Sequence, residues 1–251
     1  MLATKETIII MFGLGTIINT VAVVAGGVIG VTLKRGIPKQ CSDVLMQGCG
    51  VATIFIGAGG VLQKMLVINN GSLETQGTML LILSLVIGGL IGSLIDIENR
   101  LERLGDYLKK KFGTDGDNHF VEGFVTCTLV ICIGAMAIIG AIEDGLNGNY
   151  SVLTAKAVLD FVIVIVFSST LGKGVIFSAL PLFIYQGAIT CIAAVFGDFM
   201  STALIDNISF VGSALIFCVG VNICMSKKFA VGNLLPALFI PVIYHAAASF
   251  F

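Results

Sequence analysis

Charge is what this chain lacks most. Only 12% of its 251 residues are Asp, Glu, Lys or Arg, while 57% are hydrophobic. A soluble domain carries about 25% charged and about 45–50% apolar residues. Too few polar side chains are present to cover a water-exposed surface, which excludes an ordinary soluble domain. Basic runs interleaved with aromatic residues are also missing, so no nucleic-acid partner is expected. Histidine is confined to His119 and His245. No HExxH, no GxSxG and no pair of catalytic carboxylates falls in the apolar stretches. The chain therefore reads as a non-enzyme, with no catalytic residue and no cofactor. The seven cysteines show neither CxxC nor Cys/His metal spacing, so no metal site is expected. Cys49, Cys127, Cys132, Cys191, Cys218 and Cys224 fall inside apolar runs and Cys41 sits beside one; they read as small packing residues.

What the chain has instead is long uncharged stretches. None carries a charge between Glu6 and Lys34, Asp43 and Lys64, Glu74 and Asp96, Glu122 and Glu143, Lys173 and Asp198, Asp206 and Lys227, or after Lys228. Each suffices for a helix crossing ~30 Å of hydrocarbon at ~1.5 Å per residue. An eighth span is expected over Ser151–Gly172, apolar except for Lys156 and Asp160, with Gly172-Lys173-Gly174 forming a tight hairpin into the next. The apolar run ending at Leu33 is too long for a signal-peptide core and has no A-x-A site before Lys34-Arg35, so it reads as an uncleaved first span. The fold class is thus all-α: a polytopic membrane protein of about eight transmembrane helices, with residues 1–251 forming a single membrane domain.

The basic residues orient it. All but Lys5, Lys64 and Lys156 of the 14 fall in alternate loops: Lys34, Arg35 and Lys39; Arg100, Arg103 and Lys109 to Lys111; Lys173; Lys227 and Lys228. The positive-inside rule places those loops in the cytoplasm and both termini outside it. The opposite loops are short and acidic, with Glu143-Asp144, Asp198 and Asp206. Within the one sizeable cytoplasmic segment, Leu101, Leu104, Leu108 and Phe112 recur at helical spacing. This predicts an interfacial helix over 98–113 on the anionic inner leaflet, or a solvated extension of the third span.

Gly13, Thr16 and Gly30 recur at one constant offset as Gly123, Thr126 and Gly140. This suggests a 3+3 inverted repeat, 8–98 against 121–198, followed by two further helices within 207–251. Secondary transporters use that architecture for alternating access. Gly26-x-x-x-Gly30, Gly88-x-x-x-Gly92 and Gly57 to Gly60 are faces on which helices approach closely.

Asp160 is the most informative residue. It lies about 12 Å inside its span at ~1.5 Å per residue, where an acid costs about 2.5–3.5 kcal/mol. A partner, a proton or a bound cation must compensate, and Lys156 sits one turn away on the same face. Asn19, Gln47, Ser168, Ser169, Gln186, Asn222 and Asn233 add uncharged polar groups that suit either a polar solute or helix–helix contact. Two places read as broken helix: Phe167 to Gly172, and Gly232 to Pro236 with Pro241 beyond. His245 reads as an interfacial side chain.

Gly15-Thr16-Ile17-Ile18-Asn19 with Gly26-Gly27 and Gly30, then Lys34-Arg35-Gly36-Ile37-Pro38, resemble the prokaryotic multi-pass family known as domain of unknown function 554. So do Ile97-Glu98 to Gly105, Gly134 to Gly140, Asp144-Gly145-Leu146, Tyr185-Gln186-Gly187 with Thr190, and Ala230 to Leu238. The likeness runs nearly end to end. It implies a multi-pass protein of a bacterial or archaeal cytoplasmic membrane, in a family suspected of transport, and supplies no substrate. The expectation is a secondary transporter or exporter of a small polar solute or ion, proton- or cation-coupled at Asp160, with the lipid bilayer as its surroundings. The alternatives are a passive channel, which needs a homo-oligomer to ring its pore, and a non-transporting scaffold or sensor.

Overall fold

The computed structural model describes residues 13–33, 38–69, 71–112, 119–133, 135–196, 201–225 and 229–248. The expected starts of the first span before residue 13, and the loop charges Lys5, Lys34, Arg35, Asp198, Lys227 and Lys228, lie outside them. In chain order the helices are α1 (Leu14–Leu33), α2 (Lys39–Met65), α3 (Thr78–Ile95), α4 (Ile97–Lys111), α5 (Phe120–Ile133), α6 (Ala135–Asn147), α7 (Ser151–Leu171), α8 (Ala179–Phe196), α9 (Thr202–Met225), α10 (Val231–Leu234) and α11 (Ile240–Ala248). Short 3-10 turns over Lys173–Ser178 and Leu235–Phe239 lead into α8 and α11. The chain is a helical polytopic membrane protein. Among the described residues six helices are long and apolar enough to cross a bilayer: Leu14–Leu33, Asp43–Met65, Thr78–Ile95, Ser151–Leu171, Lys173–Val195 and Ala203–Met225. A seventh crossing requires Phe120–Ile133 and Met136–Leu146 to act together, although they bend by 57° at their break. The last apolar stretch, Val231–Ala246, is shorter.

One departure from an all-helical chain is a two-stranded antiparallel hairpin, β1 (Leu66–Asn69) with β2 (Ser72–Thr75), paired from Leu66↔Thr75 to Asn69↔Ser72. The sequence Asn70-Gly71 is the signature of a two-residue hairpin turn, and Gly71 takes a φ of +81° that a side chain resists. Two expected breaks also resolve differently. Phe167 to Leu171 is continuous helix, and Ser169 and Thr170 bond back to the carbonyls of Val166 and Phe167 within it. The chain turns only at Gly172, whose φ is +87°. The second break is real, because Pro236 cannot donate to the helix ladder and the segment tightens to 3-10 there.

Two compact units form by contact. The first gathers the described residues within Met1–Met46, Leu104–Cys132 and Met136–Met200. Its centre is α1 against α7. On α1 the buried positions Gly15, Thr16, Asn19, Val23, Gly26, Gly27 and Gly30 repeat every three to four residues and make one face. A Cβ on Gly26 would lie 2.7 Å from the Phe161 carbonyl oxygen, and one on Gly15 2.8 Å from the Leu153 side chain. One on Gly30 would collide with the Ile165 carbonyl. Glycine is what lets these backbones touch. Contacts rise together along both helices, so α1 and α7 run parallel. Their other faces carry Val21, Val28, Val158 and Val162, half or more exposed, a cost in water that vanishes in lipid.

The second unit gathers the described residues within Gln47–Arg103, Ile133–Ala135 and Ser201–Phe251. Gly57 and Gly60 of α2 meet Phe217 and Ser213 of α9, and Gly220 meets Ile54. Gly88 and Gly92 of α3 meet Ala237 and Asn233. Both pairs run antiparallel. Gly26 with Gly30 and Gly88 with Gly92 therefore pack as the sequence predicts, and so do Gly57 and Gly60, while Gly59 beside them faces open space.

Candidate functional site

The first unit holds a polar network inside its helices. Along α1 and α8 two rungs connect antiparallel helices. Thr16 Oγ1 lies 3.4 Å from Thr190 Oγ1, and Asn19 Nδ2 donates to Gln186 Oε1 at 3.2 Å. The spacings from 16 to 19 and from 186 to 190 are one helical turn each, so each helix presents its polar pair on a single stripe. All four residues are buried, Asn19 and Gln186 completely.

From α7 comes a charged pair. Lys156 and Asp160, four residues apart on one face, form an ion pair through Nζ and Oδ2, and both are about 95% buried (relative exposures 4% and 5%). The Asn19 amide lies close enough to the Asp160 carboxylate to favour its charged form, while its Nδ2 donates to Gln186. That leaves Asn19 Oδ1 and Gln186 Nε2 buried with no partner among the described residues. An unmade buried hydrogen bond costs about 1–3 kcal/mol.

One buried acid was misread from sequence. Asp144, expected in a short outer loop beside Glu143, lies on α6 and is completely buried. Its Oδ2 accepts from the Gly15 backbone N–H at 3.1 Å, with the backbone amides of Gly13 and Thr16 close by. The open N–H groups at the start of α1 are thus capped by an acid far along the chain, where the helix dipole favours negative charge. A Cβ on Gly15 would come 3.1 Å from that oxygen, which ties the glycine to the cap. Asp144 Oδ1 has no partner among the described residues.

The nine expected site residues divide accordingly. Asn19, Lys156, Asp160 and Gln186 meet. Ser168 lies two turns further along α7, buried against Gly30, its hydroxyl without a partner among the described residues. Ser169 donates to the Val166 carbonyl at 2.7 Å. Gln47 is exposed. Asn222 closes a loop, donating to the Phe229 carbonyl at 2.7 Å and accepting from its N–H at 2.9 Å. Asn233 Oδ1 accepts from the Glu98 N–H at 2.8 Å, while Glu98 Oε2 accepts from the Gly232 N–H at 2.9 Å. Glu98 is the second residue sequence reasoning missed. It begins the amphipathic α4, yet its side chain is buried as the cap of α10. His245 bonds Ser201 at 3.0 Å, and that serine accepts from the Leu204 N–H near the start of α9. Lys64 and Asp206 pair at 2.6 Å beside an open cleft that Phe210 and Tyr244 also line. Among the described residues no three His, Cys, Asp or Glu side chains gather as metal ligands would.

Apolar helices wrapped around a charge pair and opposed amides define a polytopic membrane protein with a polar interior. The chain belongs to the family described as Protein of unknown function (DUF554), whose model matches residues 14–246. It is 38% identical over 227 residues to the Uncharacterized membrane protein YdfK of Bacillus subtilis (strain 168), covering 90% of this chain and 93% of that one. It is 29% identical over 241 residues to the Uncharacterized protein YqgA of Escherichia coli (strain K12), covering 93% and 97%. No solved structure matches.

Proposed function

We propose that the protein is a secondary transporter or exporter of a small polar solute or ion in a prokaryotic cytoplasmic membrane, with proton or cation coupling at Asp160. The observation that carries this reading is the network of Asn19, Lys156, Asp160 and Gln186, because buried charges and unpaired amides are expensive in a bilayer and are retained there for a task. The reading includes eight crossings, counting the bent α5–α6 pair and the shorter last segment, with both termini outside. The helix directions support that count. Alternating crossings make the first and fifth spans parallel, as α1 and α7 are, and the first and sixth antiparallel, as α1 and α8 are. The second with the seventh and the third with the eighth then run antiparallel, as α2 with α9 and α3 with α10 do. The inverted repeat of 8–98 and 121–198, with the last two helices added, belongs to the same reading, and catalysis does not.

The test is flux in liposomes carrying the purified protein, screened against solutes and ions with and without an imposed proton gradient. Asp160→Asn is expected to abolish gradient-driven flux; because it strands Lys156 at a cost of about 3–5 kcal/mol, the monodisperse fraction is reconstituted, with Lys156→Met/Asp160→Asn beside it as the variant that leaves no charge unpaired. Gradient-driven flux unchanged in either variant would remove Asp160 from the mechanism.

A further inference from the structure

Two carboxamides facing each other can make more bonds than Asn19 and Gln186 make. Each offers two donor hydrogens and one acceptor oxygen. Asn19 Nδ2 is occupied by Gln186 Oε1, and the nearby Asp160 carboxylate favours this placement over the reverse, which would turn an oxygen toward a negative charge. Asn19 Oδ1 and Gln186 Nε2 are left over, one acceptor and one donor on adjoining side chains, both fully buried and without a partner among the described residues. Beside them the charges cancel, because Lys156 and Asp160 are paired. A charged solute seated on this amide pair, beyond the proton or cation taken up at Asp160, would bring an unbalanced charge into a low-dielectric interior, which costs far more than a neutral polar group whose hydrogen bonds are met.

We infer that this site takes a small uncharged solute bearing a donor and an acceptor on neighbouring atoms, of the carboxamide or urea class, its N–H on Asn19 Oδ1 and its C=O on Gln186 Nε2. The inference rests on the transport reading above and narrows its substrate from polar solute or ion to neutral solute. An ordered water is the competing occupant, since it too can accept from one group and donate to the other.

Acetamide and acetate have nearly one shape and differ in charge, and urea and methylammonium extend the comparison. Uptake of the four radiolabelled probes is measured in liposomes containing the full chain, alongside the thermal stability of the detergent-solubilised protein with each. Acetamide and urea are expected to enter saturably above empty liposomes and to raise the unfolding temperature, with acetate and methylammonium at background. Gln186→Glu keeps an oxygen for Asn19 but exchanges the free donor for an acceptor. Gln186→Met, close in shape, guards against misfolding of the buried acid. Each is expected to cut amide uptake roughly tenfold, the order of one lost hydrogen bond with its partner stranded. Acetate or methylammonium entering as fast as the amides would overturn the neutral-solute class and leave transport standing. Amide uptake undiminished in folded Gln186→Met would overturn the site. If other solutes move while neither amide binds nor enters, water is the occupant. If a monodisperse protein moves no solute at all, the transport reading falls, and this inference with it.

Discussion

At the scale of single residues, the Lys156–Asp160 pair has a definite energetic signature. Removing one partner leaves a buried charge uncompensated, which costs about 3–5 kcal/mol, whereas replacing both with apolar groups of similar size is often neutral. Lys156→Met is therefore expected to destabilise the folded protein by about that amount, with Lys156→Met/Asp160→Leu recovering most of it. Denaturant titration in mixed micelles measures both. The double variant also loses the favourable approach of Asn19 to Asp160, so its recovery falls short of complete. The pair was legible in the sequence because i, i+4 spacing on a helix is a local pattern. The rest of the network was not. Asn19 and Gln186 are separated by 167 residues and Thr16 and Thr190 by 174, and nothing local announces such meetings. Asp144 was misplaced for a related reason. A charge at the edge of an apolar run looks like the start of a loop, whereas here α6 continues through it to Asn147.

At the scale of elements, the small-residue faces were readable because close helix contact demands glycine at a three-to-four-residue period, and the sequence displays that period directly. Helix breaks were harder to place. Pro236 carries its own mechanism, while the hydroxyl-rich end of α7 did not break, since Ser169 and Thr170 satisfy themselves on carbonyls of their own turn. The α5–α6 bend falls in an uninterrupted apolar run whose composition does not announce it. The hairpin at Asn70-Gly71 was overlooked because an apolar chain invites a search for helices alone. Glu98 sets a test at this scale. Glu98→Ala strands the Gly232 N–H and is expected to cost about 1–3 kcal/mol. It should also speed hydrogen exchange in Val231–Leu234, while Glu98→Gln, which keeps an acceptor oxygen, should exchange more slowly than the alanine variant. Equal exchange in all three proteins would mean that the cap contributes nothing to the order of α10.

At the scale of the whole molecule, the number of crossings and their direction are set by where charge is tolerated. Two exposed positions report on it. Ser72 lies in the hairpin and Lys110 near the basic end of α4. In a background with the exposed Cys41 and Cys191 replaced by serine, Ser72→Cys is expected to react with a membrane-impermeant maleimide on intact cells. Lys110→Cys should react only after permeabilisation. The reverse pattern would invert the orientation derived from the basic loops.

The cap on α1 bears on how the protein is made. Asp144 follows Gly15 by 129 residues, so the ribosome delivers α1 long before it delivers the acid that closes its first turn, and α7, its parallel neighbour, emerges later still. During synthesis the opening amides of α1 must be served by water or by lipid headgroups. Only when the middle of the chain arrives can that end withdraw from them, which makes seating of the first helix a late event in biogenesis.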